Sequence, residues 1–199
     1  MFSRSLMSLV LMRIVATCGT AAIAAYGIGL RFHMIALMPT FAMGSAAATM
    51  VGQNLGAGQP GRASRGAWLA AALAAGYMAC TALIMIIFAP TLFRIFADDS
   101  EVILTGTDFL RTASPFYTFA ALAIVLSRAL AGAGDTVPPF IFTVICLWGI
   151  QVPLAALLSR ALQPPTDGIW IAIATAITIH GLLAAAWFLL GRWKDRRIE

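Results

Sequence analysis

Charge is scarce in this sequence. Only 11% of the 199 residues are Asp, Glu, Lys or Arg, against about 25% in an average soluble domain. A soluble globule of this size could not cover its surface with so few. The scarcity is also uneven. No charge falls between Arg31 and Arg62 or between Arg65 and Arg94, gaps of 30 and 28 residues. Two further gaps, from Asp135 to Arg160 and from Asp167 to Arg192, hold 24 residues each. A helix that crosses a bilayer needs about 20 mostly apolar residues, so each gap reads as a membrane segment. Cysteine is scarce too. Cys18, Cys80 and Cys146 are odd in number, lie in apolar stretches and match no metal-binding spacing. That excludes a disulfide scaffold and a zinc site, and leaves three small buried hydrophobes. No metal ligand set is expected. The start, "MFSRSLMSLVLMRIVATCG", has no convincing cleavage site and does not read as a removable signal.

What is present is apolar and helical. Hydrophobic residues make up 61% of the chain, and the mean hydropathy is +0.90. The segments are long and rich in Ala and Leu, and in lipid only helices or closed barrels satisfy the backbone. The expectation is an all-α transmembrane protein, a single bundle over 1–199. Its six helices fall at about 2–18, 20–54, 62–90, 101–131, 137–160 and 168–191. Gly19, "GQNLGAGQPG", "FRIFADDSE", "AGAGDTVPP" and "SRALQPPTDG" divide them.

Charge sets the orientation. If the first helix starts in the cytoplasm, eight cations lie inside: Arg4, Arg62, Arg65, Arg128, Arg192, Lys194, Arg196 and Arg197. Two, Arg94 and Arg160, lie outside. That is a clear positive-inside bias. Both termini are then expected in the cytoplasm, with the chain a multi-pass protein of the cell membrane and the bilayer its first partner. The basic end "GRWKDRR" reads as an interfacial anchor with Trp193 at headgroup level. The net charge of +5 thus reports topology, and no nucleic-acid partner is expected.

The stretch Gly56-Ala57-Gly58-Gln59-Pro60-Gly61 fits GxGxxG. A dinucleotide site needs a strand before that pattern and a helix N-terminus behind it. Here a long apolar helix precedes it and Pro60 stands inside it. The glycines are expected to let one helix stop and the next begin. "LAGAGD" at 130–135, two helices later, echoes "LGAG" at 55–58.

With the helices placed, order and spacing carry a resemblance. "AAYGIGLR" at 24–31 leads to "ALMPTF" at 36–41 and "MVGQNLGAGQPGRA" at 50–63. Later come "FLRTASPFY" at 109–117, "ALAGAGDTVPP" at 129–139 and "DGIW" at 167–170. Over essentially its whole length the chain resembles the C-terminal half of multidrug and toxic compound extrusion (MATE) transporters. The resemblance implies one six-helix lobe of a twelve-helix fold. In that fold two lobes rock around a central cavity and export drugs or organic cations in exchange for Na⁺ or H⁺. It also implies an N-terminal six-helix half as partner, and hence a fragment, a truncated product or one subunit of a split transporter. No enzyme activity and no cofactor beyond the coupling ion are implied. One departure matters. The first helix holds no Asp or Glu, and the fourth has only Asp108, paired by spacing with Arg111. A coupling-cation site within this half is not expected.

Several residues are candidates for contact with a transported molecule. Arg31 and Arg13 lie in apolar helices, where charge usually faces the bundle interior or water; snorkelling is the competing explanation for Arg31. Met34 and Met38 share a face, and methionine suits sites that accept varied ligands. Pro115 in "SPFYTF" frees a carbonyl and permits a bend beside Phe116 and Tyr117. Aromatic rings beside a bend offer cation–π contact, which makes Tyr117 the foremost candidate. Pro39 marks a comparable bend in the second helix. His33, alone at a helix flank, reads as structural. The expected binding set is therefore Tyr117, Phe116, Arg31, Met34 and Met38.

The alternatives are a lipid-linked oligosaccharide flippase and an inert truncated fragment. The "VGQNLGAGQ" turn argues against the flippase, and no cationic tract for a diphosphate lipid stands out. A rhomboid-type protease could take Ser45 as nucleophile and His180 as base, but it would need a GxSG motif, which is absent, and Ser45 lies on the second helix where the pattern needs the fourth.

Overall fold

The computed structural model describes the backbone of residues 2–195 and the side chains of residues 7–194. Every long apolar segment is helical: α1 Phe2–Ala16, α2 Thr20–Gly56, α3 Pro60–Arg94, α4 Ser100–Ala113, α5 Tyr117–Gly132, α6 Val137–Val144, α7 Val152–Ala161 and α8 Pro165–Leu190. A 3₁₀ turn, Ser114–Phe116, joins α4 to α5, and a π-helical stretch, Ile145–Gln151, joins α6 to α7. Five spans are long and apolar enough to cross a membrane: Thr20–Gly56, Pro60–Arg94, Ser100–Gly132, Val137–Ala161 and Pro165–Leu190. The described apolar part of the first helix, Met7–Ala16, is shorter.

The helix ends follow the local chemistry. At the start of α4 the Asp99 carboxylate accepts the Glu101 N–H at 2.8 Å, which satisfies one of the free first-turn donors. Pro115 falls in the 3₁₀ turn, so the bend expected there takes the form of a break between two helices. Pro39 and Pro90 both lie inside unbroken helices. The third helix therefore continues four residues past Pro90, where the sequence reading ended it.

The two glycine turns are twins. After α2, the Gln59 N–H donates to the Asn54 carbonyl at 2.8 Å and the Gly58 N–H to Leu55 at 2.9 Å. After α5, the Asp135 N–H donates to Leu130 at 2.9 Å and the Gly134 N–H to Ala131 at 3.0 Å. Both are Schellman closures with a glycine in the left-handed region, Gly58 at φ 69° and Gly134 at φ 78°. The GxGxxG match is thus a helix stop.

The helices divide into two compact units. The first comprises residues up to Ile35 together with Cys80–Phe116 and Val144–Ala176; the second comprises Ala36–Ala79, Tyr117–Thr143 and residues from Ile177 onward. Each of the five long spans supplies a segment to each unit.

In the first unit, Tyr26, Phe109 and Trp170 form one aromatic cluster. Tyr26 stacks on Trp170 at 5.8 Å, and Phe109 meets Trp170 edge-on at 4.7 Å. Gly29 and Gly106 leave room for the Phe109 and Phe93 rings. α1 packs on α7 and on the π-helical stretch.

In the second unit α2 and α5 cross closely. Gly44 lies beneath Arg128 and Ile124, and Gly52 and Ala48 face Gly132. The C-terminal end of α8 is closed by aromatics. Trp68 meets Phe188 edge-on at 5.8 Å, and Trp193 stacks on Phe188 at 4.6 Å. Trp193 is fully buried, so its indole packs within the protein and is not an exposed anchor. The chain turns at Gly191, φ 72°, and carries the indole back against Phe188. Arg196 and Arg197 lie outside the described residues.

Candidate substrate-facing surface

The uncovered helix faces differ in chemistry. In the second unit, α3 exposes Leu69 and Leu73, and α8 exposes Leu182, Leu189 and Leu190. In the first unit, α3 exposes Leu83, Ile84, Ile87 and Phe88. These are faces that hydrocarbon accepts. α2 is different. Its exposed residues in the second unit are Met38, Ala42, Ser45, Ala46, Thr49 and Gln53, and in the first unit they include Arg31, Met34 and Ile35. The same helix thus presents a charge, an amide, two hydroxyls and two thioethers where its neighbour α3 presents mainly aliphatic groups.

The second unit adds a cation to this face. Arg128, exposed on α5, donates to the Ser45 hydroxyl at 3.3 Å and stands 5.8 Å above the Phe41 ring. The sequence reading assigned Arg128 to the inner side by topology, without a contact. Its bond to Ser45 depends on two helices meeting, which neither segment announces.

The five predicted site residues fare differently. Arg31 is exposed, and Met34 and Met38 are 53% and 67% exposed. Phe116 is half-buried at the end of the 3₁₀ turn. Tyr117, the first residue of α5, is fully enclosed. The first unit thus holds Arg31, Met34 and Phe116, and the second holds Met38 and Tyr117. Arg13 is exposed on α1, and His33 is half-buried.

The sequence reading passed over one residue. Asp135, taken as part of a turn, is only 2% exposed. Its Oδ2 accepts the Trp187 indole N–H at 3.0 Å, and Phe142 meets the same indole edge-on at 5.9 Å. A carboxylate placed immediately after a left-handed glycine is the one local signal. Its partner lies 52 residues away and could not be read from spacing. Among the described residues no three His, Cys, Asp or Glu side chains come together to hold a metal ion.

A chain that is helical throughout its described residues, with five membrane-length spans among them, belongs to the class of multi-pass helical membrane proteins. A family model described as MatE matches residues 1–157, and the chain belongs to that family. Its curated relatives include a probable multidrug resistance protein NorM of Thermotoga maritima, 28% identical over 90% of this chain and 39% of the relative. Another NorM, from Mesorhizobium japonicum, is 31% identical over 87% of this chain and 37% of the relative. The multidrug resistance protein PmpM of Pseudomonas aeruginosa is 29% identical over 78% and 34%. The fold matches the crystal structure of the Vibrio cholerae MATE transporter VcmN in the bent form, with a TM-score of 0.89 at 21% identity over 96% of this chain and 43% of that one. It also matches the MATE transporter ClbM in complex with Rb⁺, with a TM-score of 0.88 at 23% identity over 96% and 45%. The chain therefore spans about two fifths of the length of the proteins it matches.

Proposed function

We propose that the chain is the C-terminal, six-helix lobe of a cation-coupled efflux antiporter that expels drugs and organic cations. It acts together with an N-terminal six-helix half and performs no enzyme chemistry. The observation that carries this reading is the exposed face of α2. Arg31, Ser45, Thr49 and Gln53 with the Arg128 guanidinium are costly against lipid and suit a water-filled cavity or a protein partner. Relatives named as multidrug resistance proteins support the substrate class.

Met34 and Met38 supply exposed, polarizable contacts on successive turns of α2, and Phe116 supplies an aromatic edge. Arg31 holds a carboxylate of the other half or of an anionic substrate. Tyr117, whose ring is fully enclosed, takes part only if its surroundings rearrange. The coupling Na⁺ or H⁺ is carried by the other half, in keeping with a first helix that holds no Asp or Glu and a fourth that holds only Asp108 beyond its first turn. Both termini lie in the cytoplasm, as the cation count requires.

Alternating access needs one bundle to move against another around a site near their interface, and this chain supplies one wall. Proteoliposomes containing only the 199-residue chain are expected to show no dye efflux under a Na⁺ or H⁺ gradient. Co-expression with a matching N-terminal half restores it. Gradient-driven efflux from the purified chain alone would overturn this reading and favour a homodimeric transporter.

A further inference from the structure

We propose that the turn following α8 binds an anionic phospholipid, with the headgroup phosphate between Arg192 and Lys194 and an acyl chain along Leu189 and Leu190. The turn is built rather than loose. α8 ends at Leu190, Gly191 takes a left-handed conformation, and a 3₁₀ turn runs over Arg192–Asp195. The Trp193 indole N–H donates to the Phe188 carbonyl at 2.9 Å, and the Lys194 N–H donates to the Gly191 carbonyl at 3.0 Å. With Trp193 buried, its two chain neighbours, Arg192 and Lys194, are left exposed.

Both cations are held on aromatic faces. The Arg192 guanidinium stands 5.8 Å over Trp187, which is itself fixed by its bond to Asp135, and the Lys194 ammonium stands 5.8 Å over Trp193. Lys194 also folds back across Gly191, with its Cδ, Cε and Nζ each 3.6 Å from where a Cβ would be. Two side chains that would otherwise sample many rotamers are thus partly ordered before any ligand arrives, which lowers the cost of binding. Among the described side chains no carboxylate pairs with either. Asp135, which engages Trp187, is itself buried.

The neighbouring surface selects a lipid over a free anion. Leu189 and Leu190 are 68% and 63% exposed and immediately precede the cations. The 26 residues of α8 span about 39 Å, more than a hydrocarbon core of about 30 Å, so the end of this helix reaches headgroup level. Apolar side chains below and two cations above match a phospholipid of negative charge. The proposal rests on this turn alone and is independent of transport.

The test uses the purified chain in neutral detergent, titrated with phosphatidylglycerol or with phosphatidylcholine of the same acyl chains. Bound lipid is counted by native mass spectrometry. Phosphatidylglycerol should bind more tightly than phosphatidylcholine. The double variant Arg192→Gln/Lys194→Gln should weaken phosphatidylglycerol binding by about 25-fold, about fivefold for each cation. Arg62→Gln/Arg65→Gln, which removes equal charge elsewhere in the same unit, should change it less than twofold. Arg192→Lys/Lys194→Arg keeps both charges and should bind within a few-fold of the parent, which guards against a folding defect in the first variant. Equal binding of the two lipids, or equal losses in the two Gln variants, would overturn the proposal. So would displacement of the lipid by millimolar inorganic phosphate, which would make this a soluble-anion site.

Discussion

Gly56 and Gly132 occupy the same place in twin turns, each the last helical residue before its closure. Their surroundings differ sharply. A methyl group at 56 would meet nothing within 4 Å. A methyl group at 132 would lie 2.7 Å from both the carbonyl carbon and the Cα of Ala48, and closer still to its oxygen. Carbon atoms pack best at about 3.5–4.0 Å, so α2 and α5 would have to part by about 1 Å. Backbone cannot step aside as a flexible side chain can, and overpacking of this kind costs about 1–3 kcal/mol. Replacing Gly by Ala in a helix also returns up to about 1 kcal/mol of propensity. That gain applies equally at both positions and cancels between them. Gly132→Ala is therefore expected to be about 1–3 kcal/mol less stable than Gly56→Ala. Reversible unfolding in mixed micelles, followed by tryptophan fluorescence, measures the difference. Equal stability of the two variants, or a more stable Gly132→Ala, would refute the close approach of α2 to α5.

Asp135→Ala removes the acceptor of the half-buried Trp187 indole and should cost about 1.5–3 kcal/mol, the range for a hydrogen bond to a charged group, whereas Asp135→Asn keeps an acceptor and should recover most of that; denaturant titration of both variants decides, and equal losses would mean that charge and not the hydrogen bond matters. A cysteine at Gln59, which is exposed in the turn after α2, should react with membrane-impermeant reagents only from the cytoplasmic side. Labelling from outside would invert the topology.

The fold was legible because membrane segments declare themselves twice, by a lack of charge and by the turns between them. The long gaps after Arg31 and Arg65 became α2 and α3 directly, and the two Gly-Ala-Gly stretches became matched helix stops. Interruptions inside a span were harder. Pro115 marked a real break between α4 and α5, yet Pro39 and Pro90 sit in continuous helices. The candidate surface was half legible. Arg31, Met34 and Met38 stood out by type and spacing and emerge exposed. Tyr117 stood out by its neighbours, but the sequence held no sign that its ring turns inward. Asp135 with Trp187 and Arg128 with Ser45 went unread because each pair joins distant segments. The burial of Trp193 was not legible, because a tryptophan beside basic residues looks exposed until the chain is seen to turn back at Gly191.

The π-helical stretch at Ile145–Gln151 alters how this span must be counted. In an unbroken α-helix each step of four residues advances about 40° around the axis, so a row of every fourth residue winds away within a few turns. A π turn accommodates an extra residue and resets that drift. Along this span Val137, Ile141, Ile145, Gly149, Pro153, Leu157 and Ala161 are all exposed, a strict four-residue rhythm held over six intervals. A wheel drawn at 3.6 residues per turn would spread these positions over about 240° and hide the stripe. The composition gives no warning, because the span is apolar on every side, and the beat of exposure appears once the wide turn is in place.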